Sequence, residues 1–165
     1  MSVRIEASDQ WDYVERIAQE GKTPPANFLL RNLEAIEERV TRNPYGKLQF
    51  VTRALHPFDF LAAFATTEQC GGLRVEFFFS SLPRELDATS VLLNVIEHLR
   101  LTAVSHKLSL VFLPLHSGSQ CILLKDTLSS LASSSAQGPA PNGATRVDYI
   151  AVPTEKLPQL YSLKH

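Results

Sequence analysis

From Ala26 to Arg42 the apolar side chains fall at Leu29, Leu33, Ile36 and Val40, with Arg31, Glu34, Glu37, Glu38, Arg39 and Arg42 between them. Spacings of four, three and four place a narrow apolar seam along a charged rod, which predicts an amphipathic helix. Pro44 turns Asn43 away from the helical region and Gly46 permits a turn, so "NPYGK" ends it. A shorter helix precedes it. Ser8 and Asp9 are good N-cap types, and Trp11, Val14, Ile17 and Ala18 recur at helical spacing before Gly21. Pro24 and Pro25 cannot continue that helix, so residues 1–45 read as a two-helix N-terminal segment.

The pattern then changes to period two. In "KLQFVTRAL" Leu48 and Phe50 oppose Gln49, Val51 and Arg53, which predicts a strand. In "LRVEFFFS" regular alternation sets Leu73, Val75, Phe77 and Phe79 on one face and Arg74, Glu76, Phe78 and Ser80 on the other. This is an interior strand, with Phe78 expected on its less covered side. Residues 57–69 carry both signals: Pro57, Asp59 and the closing Gly71-Gly72 favour a helix, whereas Phe60, Ala62 and Phe64 alternate. The helix is the reading adopted.

Asp87 or Thr89 can cap a third helix whose apolar face is Val91, Leu92, Val95, Ile96, Leu99 and Ala103. "LSLVFLPL" follows as a buried strand, "HSGS" as a turn and "QCILLK" as its hairpin partner. Residues 129–145, rich in Ser, Ala, Pro and Gly, read as a flexible loop. "RVDYIAV" reads as a last strand and "TEKLPQLYSLKH" as a short terminal helix interrupted by Pro158. The order predicts a single α+β domain over residues 1–165. Its sheet should be mixed, mostly antiparallel, of about five strands, and covered by helices. From the second helix onward, residues 57–69 set aside, the element order is similar to that of roadblock or longin-like interaction domains, a likeness of order alone.

Composition narrows the function classes. Hydrophobic residues at 44% and charged residues at 20% are a globular balance, and a formal charge of −1 provides no global field toward nucleic acid or an anionic membrane. Two cysteines are too few for a disulfide framework. No basic-then-apolar leader opens the chain, and no apolar run reaches the roughly 18 residues of a membrane span. The expectation is an intracellular protein, cytoplasmic or nuclear, without a membrane span.

Candidate chemistry is sparse. Cys121 lies near His116 and Ser117, but it opens an apolar run where a thiol serves as a small hydrophobe. Cys70-Gly71-Gly72 has no base beside it in sequence, and both cysteines are expected to be buried and slow to react. His56, His98, His106, His116 and His165 show no metal-ligand spacing, and no glycine-rich phosphate loop is present. No catalytic residue, cofactor or metal is therefore expected. Arg53, Arg74, Arg84, Arg100 and Lys107 could form a basic patch beside Phe78, the combination an RNA-binding sheet uses. The leading expectation is a non-catalytic scaffold or adaptor, an assembly subunit of a larger complex. Its protein partner would bind through Trp11, Leu29, Leu33, Ile36, Val40 and Phe78, and a homo-oligomer is compatible with this. An RNA-binding subunit of a ribonucleoprotein is the alternative, and a small hydrolase or transferase the third.

Overall fold

The computed structural model describes residues 3–21, 24–80, 88–114, 134–139 and 146–157. It is an α+β arrangement around one mixed sheet of seven strands in the order β1-β2-β3-β4-β5-β7-β6. The strands are β1 (Val3–Ser8), β2 (Lys47–Arg53), β3 (His56–Gln69), β4 (Gly72–Ser80), β5 (Leu110–Pro114), β6 (Ser134–Pro139) and β7 (Arg146–Pro153). The helices are α1 (Trp11–Gly21), α2 (Pro24–Arg42) and α3 (Ala88–Ser105). Every neighbouring pair is antiparallel except β4 and β5. The fold class is as expected, with more strands.

Two apolar layers hold the sheet. On one face α1 and α2 bury Trp11, Val14, Leu29, Leu33, Ile36 and Val40 with Leu48, Ala63, Ala65, Phe77 and Phe79. On the other, α3 buries Val91, Leu92, Val95, Ile96 and Leu99 with Val51, Phe64, Leu73, Val75, Phe78 and Leu113. The expected faces of α2 and α3 are thus the ones that pack. A Schellman-type turn closes α3: Leu108 N–H donates to the Ala103 carbonyl at 2.8 Å and Lys107 N–H to that of Val104 at 3.1 Å. Lys107 there takes φ 59°.

Residues 57–69 are not a helix. They lie within β3, whose residues Leu61–Thr67 are all buried. A strand covered on both faces loses the polar half of its alternation, so turn formers at its ends imitated helix caps. Two further differences are local. β1 was missed, although Val3 and Ile5 pack on the α3 layer with Arg4 and Glu6 between them. Within the expected loop 129–145, Ser134–Pro139 forms β6 and pairs with β7. A backbone ladder needs no large side chains, and an edge position tolerates a terminal proline. "QCILLK" and residues 158–165 lie outside the described residues; before them Thr154–Lys156 form a 3₁₀ turn.

Regular alternation also fails in β4. Ala65 pairs with Phe77 but Thr66 with Val75, so Glu76 is an extra residue in the ladder, a β-bulge. Leu73 and Val75 face α3, and after the bulge Phe77 and Phe79 face α1 and α2 while Phe78 faces α3. Phe78 is 1% exposed, so neither face of β4 is the less covered one there.

Candidate functional site

The sheet has one weak joint. β4 and β5 pair only through Gly72 with Leu110, Leu73 with Val111 and Arg74 with Phe112. β4 continues to Ser80 and β5 to Pro114, and the ladder of β5 with β7 runs on from Leu110 and Pro153 to Pro114 and Tyr149. Beyond Arg74 and Phe112 the parallel strands share no ladder among the described residues, and this unpaired stretch is termed the β4–β5 cleft. Gly72 makes the joint close: a Cβ there would run into the Phe112 ring. Chain direction places the start of α3, at Ala88, at the open end, because α3 is the crossover from the end of β4 to the start of β5. An unpaired edge at the ends of parallel strands, beside a helix N-terminus, is the kind of place where open α/β sheets take up ligands.

Where β4 leaves β5, a carboxylate is buried. The Glu76 side chain is 1% exposed and lies on the α2 side of the bulge. Arg39 of α2 donates to Oε2 from Nε at 3.3 Å and from its terminal nitrogen at 3.0 Å. Thr67 of β3 donates its hydroxyl to Oε1 at 3.0 Å. Arg74 approaches Oε1 at 3.5 Å and also donates to Gln69 Oε1 at 3.1 Å. Three elements therefore meet on one carboxylate, and its oxygens are occupied by protein donors. Burial of a charge is sustained in this way, by pairing and hydrogen bonding.

Other polar groups lie elsewhere. At the far end of the sheet His106 Nδ1 meets Glu68 Oε2 at 2.7 Å, and the Tyr45 ring lies 5.6 Å from that of His106. Asn43 clamps Glu68 there, donating to its carbonyl at 3.1 Å and accepting from its N–H at 3.2 Å. His98 sits edge-on over Phe64, ring centres 6.0 Å apart, and burial together with the charge of Lys47 lowers its pKa. An open groove of about 540 Å³ runs beside Arg100, Val104, Leu108, Ser109 and Thr154, toward the C-terminal end of α3 and away from the cleft. Among the described residues no group of three or more His, Cys, Asp or Glu could hold a metal ion.

The expected partner-binding residues are interior. Trp11, Leu29, Leu33, Ile36, Val40 and Phe78 are all buried by this chain's own elements, which leaves the seam no free face for a partner. The RNA reading loses its parts likewise. Phe78 is covered, Arg74 is buried against Glu76, and Arg100 is bound to Glu97 at 2.8 Å, a hydrogen bond that raises its pKa. Cys70 is exposed rather than buried, at a hairpin tip with φ 54°. Arg84, His116, Ser117 and Cys121 lie outside the described residues. Missed altogether were Glu76, Arg39 and Thr67. The available signal was the Arg74–Glu76 pair inside an otherwise apolar strand, since charge at interior positions requires partners.

No protein-family model matches the sequence, and no curated protein does. Solved structures do match over nearly the whole chain. A probable acetyltransferase from Staphylococcus epidermidis is 12% identical, with TM-score 0.62, covering 93% of this chain and 98% of its own. An acetyltransferase of the GNAT family from Staphylococcus aureus is 9% identical, with TM-score 0.59 and coverage of 91% and 99%. A spermidine N-acetyltransferase from Vibrio cholerae, solved with CoA and spermine, is 10% identical, with TM-score 0.54 and coverage of 94% and 97%. At such identities the likeness is one of fold: the chain has the fold of these acetyltransferases. It counts against the scaffold or adaptor expectation, which rests on the Leu29–Val40 seam, Trp11 and the lack of catalytic motifs, and is in line with the option ranked third, a transferase. No helix among the described residues is long and apolar enough to cross a membrane.

Proposed function

We propose that this protein is an acyltransferase that moves an acyl group from a coenzyme A thioester to an amine, with the β4–β5 cleft as the donor site. The observation that carries this reading is the parting of the two strands beyond Arg74 and Phe112. Main-chain N–H and C=O groups inside a sheet are ordinarily paired, and a strand edge left open in the middle of one invites an added strand. The arm of coenzyme A is of that kind, with two amides separated by short aliphatic links.

The residues present suit such an arm. β4 supplies the edge from Val75 to Phe79, and Val75, Phe78 and Leu113 supply apolar bulk on the α3 side. The N-terminus of α3 favours negative charge at the open end. Residues 81–87, between β4 and α3, contain no glycine, so the fit rests on the strand edge and the helix rather than on a glycine-rich phosphate loop. Transfer would form a C–N bond as the C–S bond breaks, the departing thiolate taking up the proton that the amine loses. A small amine, or the amino group of a protein, is the acceptor class suggested by the names of a spermidine N-acetyltransferase and of an Escherichia coli ribosomal-protein-S18-alanine N-acetyltransferase of the same fold.

Calorimetric titration with coenzyme A and acetyl-coenzyme A, followed by thiol release in the presence of a polyamine or a peptide with a free α-amino group, tests this. Saturable binding competed by pantetheine is the expected result. Absence of saturable binding at millimolar donor would overturn the proposal.

A further inference from the structure

The β4–β5 ladder ends at Arg74, and the irregularity of β4 that follows coincides with one side chain. Glu76 is the bulged residue, two positions beyond the last parallel pair. Its carboxylate does not point along the cleft. It is turned toward α2, where Arg39 holds Oε2 through two nitrogens while Thr67 and Arg74 converge on Oε1. A buried carboxylate with that many fixed donors can take up only a narrow set of positions. The backbone that carries it is restrained with it.

We infer that Glu76 and Arg39 form a strut that pins the β4 bulge to α2 and thereby holds the β4–β5 cleft open, making them positioning residues for the donor site. The inference rests on the proposed function for what the cleft binds, but not for the strut itself. Three geometric facts support it. A bulge sharpens local twist and redirects the strand beyond it. Thr67 lies on β3 and Arg39 on α2, so the carboxylate ties the bulge to two elements and not merely to its own strand. α2 is itself anchored by Leu33, Ile36 and Val40 in the layer that holds Phe77 and Phe79, which makes it a rigid support. A substituent that packs equally well but lacks the charge would leave the register fixed by Phe77, Phe78 and Phe79 but loosen the bulge, so the edge beyond it would fluctuate more widely.

The roles of strut and plain stabiliser separate when variants are compared at matched stability. Glu76→Gln keeps shape and the contact with Thr67, and Arg39→Met keeps an aliphatic stem. Leu29→Ala, in the same apolar layer and ten residues along α2 from Arg39, serves as the control of comparable loss in Tm. Two readouts are taken on all three: amide hydrogen exchange at Phe77, Phe78 and Phe79, and the dissociation constant for coenzyme A. The strut predicts exchange at these amides at least about tenfold faster in Glu76→Gln and Arg39→Met than in Leu29→Ala, with a parallel loss of coenzyme A affinity of about tenfold; Arg39→Lys should recover part of both. Exchange and affinity within about twofold of the control in both variants would overturn the inference. If the unmodified protein binds no coenzyme A, the proposed function fails, while the exchange comparison still decides on the strut.

Discussion

Phe78→Ala tests the β4 bulge through stability. Phe77, Phe78 and Phe79 are 2%, 1% and 5% exposed, so each ring is removed from a closed layer and leaves a cavity. Phe→Ala at such positions costs about 3–5 kcal/mol. At about 2.1 cal/mol/K of unfolding entropy per residue, a chain of 165 residues loses about 9–14 °C in Tm for that cost. All three substitutions should therefore be comparably severe in urea denaturation, with unchanged slope. Magnitude alone does not report which face a ring occupies, and a double-mutant cycle does. The Phe77 and Trp11 rings lie 6.2 Å apart and tilted by 52°, on the α1 and α2 face, whereas Phe78 lies in the α3 layer. Trp11→Leu and Phe77→Leu should couple by about 0.5–1.5 kcal/mol, while Trp11→Leu and Phe78→Leu should be additive. Without the bulge the faces would exchange: Leu73 and Val75 would bring Phe77 to α3 and Phe78 to Trp11. Coupling of Trp11 to Phe78 in place of Phe77 would refute the bulge as the source of the reversed faces, and a Phe78→Ala cost below about 1 kcal/mol would refute the closed layer around that ring.

His98 predicts a pH dependence. Burial, with a contribution from Lys47, lowers its pKa below the ordinary 6.5, so the unfolded chain binds the proton more readily than the folded one. Its contribution is complete above pH 6.5 and is lost as pH falls from there toward the lowered folded pKa; the urea midpoint should drop on acidification through that range, and by less in His98→Gln. Equal drops in both proteins would show that His98 is not the group responsible. Cys70 is exposed, so it should react with a neutral alkylating reagent without prior unfolding. With φ at 54° and Gly71 at 75° it forms the tip of a two-residue hairpin turn, and Cys70→Asn should raise stability by about 0.5–1 kcal/mol; a loss instead would mean that the turn is not of that type.

What could be read from the sequence followed from whether each element has one buried face or two. α2 and α3 each keep a polar side, so their seams stood out as Leu29, Leu33, Ile36 and Val40, and as Val91, Val95, Ile96 and Leu99. β2 kept enough alternation at Leu48 and Phe50 to be recognised. β3 did not: Ala62, Ala63, Phe64 and Ala65 are buried on alternating faces, and such a run fits a helix as well as a strand. The site was less legible still. The bulge is a property of pairing between Thr66 and Val75, and nothing local to β4 announces it. Nor does sequence distinguish a seam that packs inward from one that meets a partner, which is how six core residues came to be assigned to an interface.

The sheet's one parallel joint also explains why this fold can carry a cleft there. β4 is held along its length by β3, and β5 by β7, through antiparallel ladders independent of the contact between β4 and β5. Separating the parallel strands beyond Arg74 and Phe112 therefore breaks no other pairing, and the two arms of the sheet keep their own apolar layers. The same separation at an antiparallel neighbour, such as β3 and β4, would undo the hairpin turn at Cys70-Gly71 and expose the buried Glu76 network. The place where opening the sheet costs least is also where the crossover brings a helix N-terminus, which under the proposed function would favour the anionic end of the donor. The proposed donor, a thioester carrier with an amide-bearing arm and a phosphate-bearing end, would meet both halves of that geometry at once.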